Sequence, residues 1–148
     1  MKKIVNRRAK YDYRFLEKFE AGIALTGAEV KSVKAAKMSL SESFVKIRNG
    51  EAWLFNAYIN PYSFADNRDY NPRRTRKLLL HKNELLKLNQ QTKEKALTIV
   101  PVSCYTRGRN IKLEIALAKG KKEYQKREVK RKKALEREME QALRDKGM

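Results

Sequence analysis

Ile111, Leu113, Ile115 and Leu117 fall on every second position, with Lys112, Glu114 and Ala116 between them. A period of two puts all four on one face of a strand and could not form one face of a helix. Tyr13, Phe15, Phe19, Ala21, Ile23 and Leu25 repeat the pattern, with Glu17 the one exception, and Trp53, Phe55, Ala57 and Ile59 repeat it again before Pro61. A chain whose apolar segments share this period folds around β-sheet.

The punctuation between these segments agrees. Val45 and Ile47 lead into Asn49-Gly50, a hairpin turn. Thr26-Gly27-Ala28-Glu29 matches the S/T-x-x-E capping box and predicts a helix through about Ala36. Residues 63–75 are polar, contain Pro72 and read as a surface loop. Residues 77–81 read as a short strand or helix entry. Leu85, Leu86 and Leu88 mark a helix over residues 83–91. Residues 97–105 and 111–117 form a last hairpin across Arg107-Gly108-Arg109-Asn110. Five or six strands with two or three short helices predict a mainly β fold: an OB-fold-like closed antiparallel barrel over residues 1–118.

Beyond it lies a different kind of chain. Of the fifteen residues 119–133, nine are Lys or Arg and two are Glu. Such a stretch cannot bury enough apolar surface to offset the entropy of ordering. Leu135, Met139, Ala142 and Leu143 do make a narrow helical stripe, and Glu123–Arg127, Glu128–Lys132 and Glu140–Arg144 are acid-first i,i+4 pairs. Residues 119–148 are therefore expected to be a basic tail, disordered or a fraying helix alone and stably helical only when bound.

The body is basic in its own right. The chain carries 36 Lys and Arg against 17 Asp and Glu, and residues 119–148 account for only twelve and six of these. A polyphosphate partner explains both halves, because each neutralised phosphate releases a counterion. No segment has the apolar length of a membrane span, and the start of the chain lacks the apolar run of a signal peptide, so no membrane is expected. One cysteine, Cys104, excludes an internal disulfide and fits a reducing cytoplasm. With one histidine it also excludes the usual zinc sets, and neither a metal nor another cofactor is expected.

No catalytic constellation appears. A nuclease with His81 as base would lack the second histidine of the usual acid–base pair, and enzymatic activity is not expected. Glu20 reads either as an exposed strand carboxylate or as an acceptor for a base edge. His81 reads as a capping residue or as an imidazole that meets an unstacked base, with Arg76, Lys77 and Lys82 on phosphates; Leu79 reads as core or as an apolar base contact. The run from Asn6 to Tyr13, with Arg8 inside it, offers phosphate and stacking groups or is a disordered terminus. Tyr124, set among cations, has little core to join and suits stacking on a base.

Several motifs carry a resemblance. Asn6, Ala9 and Tyr13, then Glu20-Ala21-Gly22-Ile23 and Leu25-Thr26-Gly27-Ala28-Glu29-Val30-Lys31-Ser32, are similar to the opening of the SsrA-binding protein (SmpB) family. Gly50-Glu51, Leu54, Ile59, Pro61, Arg76-Lys77-Leu78-Leu79-Leu80-His81-Lys82 and Ala118-Lys119-Gly120-Lys121-Lys122 continue it in order, over about residues 4–127. The resemblance implies an OB-fold adaptor that binds the tRNA-like domain of tmRNA (SsrA RNA) and delivers it to stalled ribosomes for trans-translation. It implies aminoacylated tmRNA with EF-Tu-GTP in the same complex, and a tail that enters the empty mRNA channel by the 16S rRNA decoding centre.

By the same resemblance Asn6, Tyr13, Glu20, Leu79 and His81 match positions associated with tmRNA binding; Arg8, Lys31, Arg76, Lys77 and Lys82 are expected to bind RNA beside them as neighbouring cations. Lys121, Lys122, Tyr124, Lys126 and Arg127 match the tail motif at the decoding centre. Gln125 departs from the family's usual Asp and removes a charge there; Ala28 stands where Thr or a larger residue is common. The rival reading is a structural ribosomal or initiation-factor-like OB module that binds rRNA.

Overall fold

Along the chain, the computed structural model gives β1 (Ile4–Val5), α1 (Arg7–Asp12), β2 (Tyr13–Ile23), α2 (Gly27–Lys34), β3 (Met38–Ser39), β4 (Phe44–Arg48), β5 (Glu51–Phe55), β6 (Tyr58–Ile59) and β7 (Arg76–Leu79). α3 (Lys82–Glu94), β8 (Thr98–Arg107), β9 (Asn110–Gly120) and α4 (Glu123–Lys146) follow. Residues 1–121 and 123–146 are described.

The alternating segments become the sheet. Hydrogen-bonded neighbours run β8-β4-β5-β7-β2-β9, and β9 pairs back on β8, so six strands close into a ring; β1 lies along β8, and β3 pairs separately with β6. Every pairing is antiparallel. Two register slips bend the long strands where the ring must curve, between Phe15 and Glu17 in β2 and between Pro101 and Ser103 in β8. The first explains the exception in the β2 pattern: Glu17 follows the slip and pairs at its edge with Lys87 of α3, Oε1 to Nζ 2.7 Å.

Turn chemistry behaves as its residues dictate. Asn49 and Gly50 both take positive φ, 52° and 74°, joining β4 to β5, and Gly108 takes φ 61° between β8 and β9. The capping box forms: Thr26 Oγ1 accepts from Glu29 N, and Glu29 Oε1 accepts from Thr26 N. Inside the ring, Ala21, Val45, Leu54 and Leu78 form one core with Leu88 of α3 and with Ile111, Leu113, Ile115 and Leu117 of β9.

Two residues expected on the RNA surface lie in the interior instead. Arg76 is fully buried: its guanidinium donates to Glu29 Oε2 and to the carbonyls of Ala57 and Pro72. Glu29 also takes hydrogen bonds from Arg74 and from the hydroxyl of Tyr70. Burial alone would raise the Glu29 carboxyl; the bonds from Arg74, Thr26 N and Arg76 outweigh it and hold it at about 2. So one capping carboxylate ties α2 to the far end of the loop over residues 60–75.

Asn6 is likewise buried. Its Nδ2 donates to Leu40 O (3.1 Å) and Pro101 O (2.8 Å), and its Oδ1 caps α1 through Ala9 N (3.1 Å). The N-terminal segment is thus ordered by a side chain that bridges three parts of the fold, and the disordered-terminus reading does not hold.

β9 runs to Gly120, opposite Tyr13, and Lys121 N donates to Asp12 O at 2.9 Å, so strand pairing extends two residues past the expected boundary at 118. α4 is continuous, and its stripe residues Leu135, Met139 and Leu143 are 51–69% exposed. Its helical form reflects the good helix formers of the segment rather than a packed face. Among the described residues no helix is long and apolar enough to cross a membrane.

Candidate nucleic-acid interface

On β2, parity sends Phe19, Ala21 and Ile23 toward the core and Glu20 and Gly22 outward; on β7 it sends Leu78 inward and leaves Leu79 55% exposed. The registers Gly22↔Leu79, Gly22↔Lys112 and Tyr105↔Lys112 then place Leu79, Gly22, Lys112 and Tyr105 in one row across four strands. His81, the N-cap residue of α3, is exposed at the end of β7, its N–H held by Glu84 Oε1 at 3.0 Å. Glu20, Leu79 and His81 share one open hollow with Gly22, Glu84 and Lys112. A second hollow, with Arg109 and Val30 on its wall, adjoins it through Gly22, Leu79 and Lys112.

Glu20 is not a free carboxylate. The Tyr105 hydroxyl donates to Oε2 at 2.5 Å, and Arg107 Nη1 donates to both oxygens at 2.9 and 3.1 Å. The bond from Tyr105 foremost, then that from Arg107, holds the Glu20 carboxyl below its ordinary value. Partial burial first, then the bond to Glu20, pushes the Tyr105 hydroxyl up to about 12. Glu20 thus stays ionised, with one lone pair of Oε1 left to accept from a further donor. In the variant Tyr105→Phe the Glu20 titration midpoint should move upward, as read from its carboxyl by NMR; an unmoved midpoint would mean that the hydroxyl does not hold it.

Gly22 lies in close approach to Leu79. A Cβ there would meet Leu79 Cβ at 3.2 Å. Gly22→Ala should shift the half-exposed Leu79 by a few tenths of an ångström and weaken RNA binding; a binding curve that matches wild type would show the hollow indifferent to Leu79.

The remaining predicted residues lie elsewhere. Arg8 and Tyr13 line a separate hollow with Asn6, Ser41 and Phe44. Arg8 pairs with Asp12 at 3.6 Å, and Tyr13 packs half-buried against Ala9, Val100 and Ala118. Lys77 pairs with Glu51 at 3.1 Å on the outer sheet face; Lys31 and Lys82 are exposed on α2 and α3. Lys121 anchors the start of the tail, its Nζ donating to Lys10 O at 3.1 Å. Lys122 lies outside the described residues, as do the side chains of Tyr124, Lys126 and Arg127.

Tyr105, Arg107, Lys112 and Gly22 were not among the predicted residues. The two-residue loop Gly108-Arg109 sets Tyr105 opposite Lys112 and could have found that pair. Their link to Glu20 needs the β2–β9 register, which the slip after Phe15 hides.

Compared with known proteins, the chain matches the family model "SmpB protein" over residues 3–145. It is 50% identical over 146 residues to an SsrA-binding protein of Carboxydothermus hydrogenoformans, covering 97% of this chain and 98% of that one. It is 52% identical over 141 residues to an SsrA-binding protein of a Sulfurihydrogenibium species, covering 95% and 93%. Its fold is similar to a chain of the solved structure "tmRNA-SmpB: a journey to the center of the bacterial ribosome", with a TM-score of 0.68 and 47% identity over 82% of this chain and 85% of that one.

Proposed function

The chain belongs to the SmpB protein family, and from that membership we infer that it binds tmRNA and brings it to ribosomes for trans-translation. The observation that carries the residue-level reading is the meeting of Glu20, Leu79 and His81 in one open hollow on a cationic body. An ionised acceptor, an apolar side chain and an imidazole suit unstacked bases of a folded RNA, while surrounding cations hold phosphates. Arg76 serves this surface from inside by fixing the loop that leads into β7, while Asn6 fixes α1 beside the separate hollow that Arg8 and Tyr13 line. The protein acts as a non-enzymatic adaptor in the cytoplasm, where ribosomes work.

α4 is the second module. Its exposed stripe and dense cations fit a helix that completes its packing against an RNA wall, as in the mRNA channel beside the 16S rRNA decoding centre. There Lys121, Lys122, Tyr124, Lys126 and Arg127 make the contacts, and tmRNA arrives aminoacylated with EF-Tu-GTP. An occupied channel excludes the helix, which directs rescue to ribosomes whose message has ended.

Crosslinking of the protein to total cellular RNA, with sequencing of the captured species, tests this reading. The expected result is enrichment of tmRNA, with the protein entering ribosome fractions only alongside it. Stoichiometric presence in all small subunits without tmRNA would instead mark a structural ribosomal protein, and cleavage of labelled tmRNA by pure protein would mark a nuclease.

A further inference from the structure

Around the ring from the hollow, the outer face of β4 and β5 carries aromatic and cationic groups that the reading above leaves unused. Alternation turns Val45, Ala52 and Leu54 into the core, so Phe44, Lys46 and Arg48 point outward from β4, and Trp53 and Phe55 from β5. Register sets Phe44 opposite Phe55 and Lys46 opposite Trp53, whose other neighbour is Lys77 of β7. The two phenylalanine rings stack, 5.3 Å between centroids and 8° between planes. Arg48 lies over Phe55 at 4.9 Å and Lys46 over Phe44 at 5.5 Å. The carboxylate on this face is Glu51, opposite Arg48 and paired with Lys77. Phe44 remains 37% exposed.

We propose that this face is a second RNA contact, which takes about two or three unpaired nucleotides by stacking. A flat ring receives the face of a base whatever its identity; a base would take the place of the cations that lie over Phe44 and Phe55, and the displaced Lys46 and Arg48 would reach its phosphates. A paired helix keeps its base faces inside the stack and offers this sheet only phosphates. An acidic peptide would match the charge and leave Trp53 without a planar partner. The inference rests on the RNA-adaptor reading and deepens it: the hollow and this face hold different segments of RNA.

Trp53 is the only tryptophan of the chain, so its fluorescence reports on this face. Titrating the full chain with oligouridylate at low salt should quench it saturably, and neither an RNA duplex of equal length nor poly-aspartate should displace the oligomer as well as unlabelled oligouridylate does. Lys46→Glu/Arg48→Glu, which keeps the rings, and Phe44→Ser should each weaken this titration about tenfold. Glu20→Ala/Leu79→Ala/His81→Ala should leave it unchanged. Equal displacement by duplex or poly-aspartate overturns the proposal, as does quenching that survives both face variants or vanishes in the hollow variant. tmRNA binding measured in parallel separates the two readings: intact tmRNA binding without any Trp53 response overturns only this face, and absent tmRNA binding overturns the adaptor reading itself.

Discussion

Glu29→Ala should destabilise the body by about 3–5 kcal/mol, the largest effect expected of any single substitution in the chain. The reason is what it leaves behind. Arg76 is fully buried, and without Glu29 its charge keeps only the carbonyls of Ala57 and Pro72 and the Tyr70 hydroxyl as partners. The change also opens the capping box at the start of α2 and frees Arg74 and the loop it holds. A thermal melt should move down by roughly 10–15 °C. Removing both charges, as Glu29→Gln/Arg76→Met, should be less harmful than Glu29→Ala alone, because it is the stranded charge that is costly; a double variant worse than the single would show that packing, not charge, dominates there.

The same carboxylate gives the fold a pH dependence of known sign. Its folded value, about 2, lies below the ordinary carboxylate value of 4.5. The stability it contributes is therefore complete above about pH 4.5 and is lost as pH falls toward 2. Denaturant titrations across that window should show stability dropping with acid in the wild-type chain and a shallower drop in Glu29→Gln.

The second large effect concerns the tail. Truncation after Lys121 should leave tmRNA affinity within about tenfold of the full chain and abolish tagging of stalled peptides. The cut respects the fold, since β9 ends at Gly120 and Lys121 closes onto Asp12 and Lys10. The segment removed carries ten basic and six acidic residues, a modest share of the net +19, so the body keeps most of its attraction for RNA. It loses a helix whose stripe residues Leu135, Met139 and Leu143 are largely exposed. Normal tagging by the truncated chain in a reconstituted translation assay would end the two-module account.

Local signals were legible where the chemistry is local. Asn49-Gly50 gave its turn, Thr26 to Glu29 their box, and the alternation at Ile111 to Leu117 its strand. Long-range partners were not. Asn6 reads as a polar surface residue until Leu40 and Pro101, 34 and 95 positions away, supply the carbonyls that bury it. Arg76 reads as one cation in a basic motif, and only the path of the loop brings it to Glu29. Glu20 does lie on the outer face of its strand, but it is half-buried and held by Tyr105 and Arg107, partners that come from a hairpin 85 and 87 residues on.

The hollow is the heart of the account, and one binding curve reaches it directly. Filter binding of tmRNA to Glu20→Ala/Leu79→Ala/His81→Ala should show affinity about a hundredfold below wild type, because an acceptor, an apolar contact and a base-facing imidazole are lost together while the cations remain. The melt should stay near that of wild type, since all three side chains lie outside the core. Wild-type affinity in a folded triple variant would contradict the assignment of this surface to tmRNA.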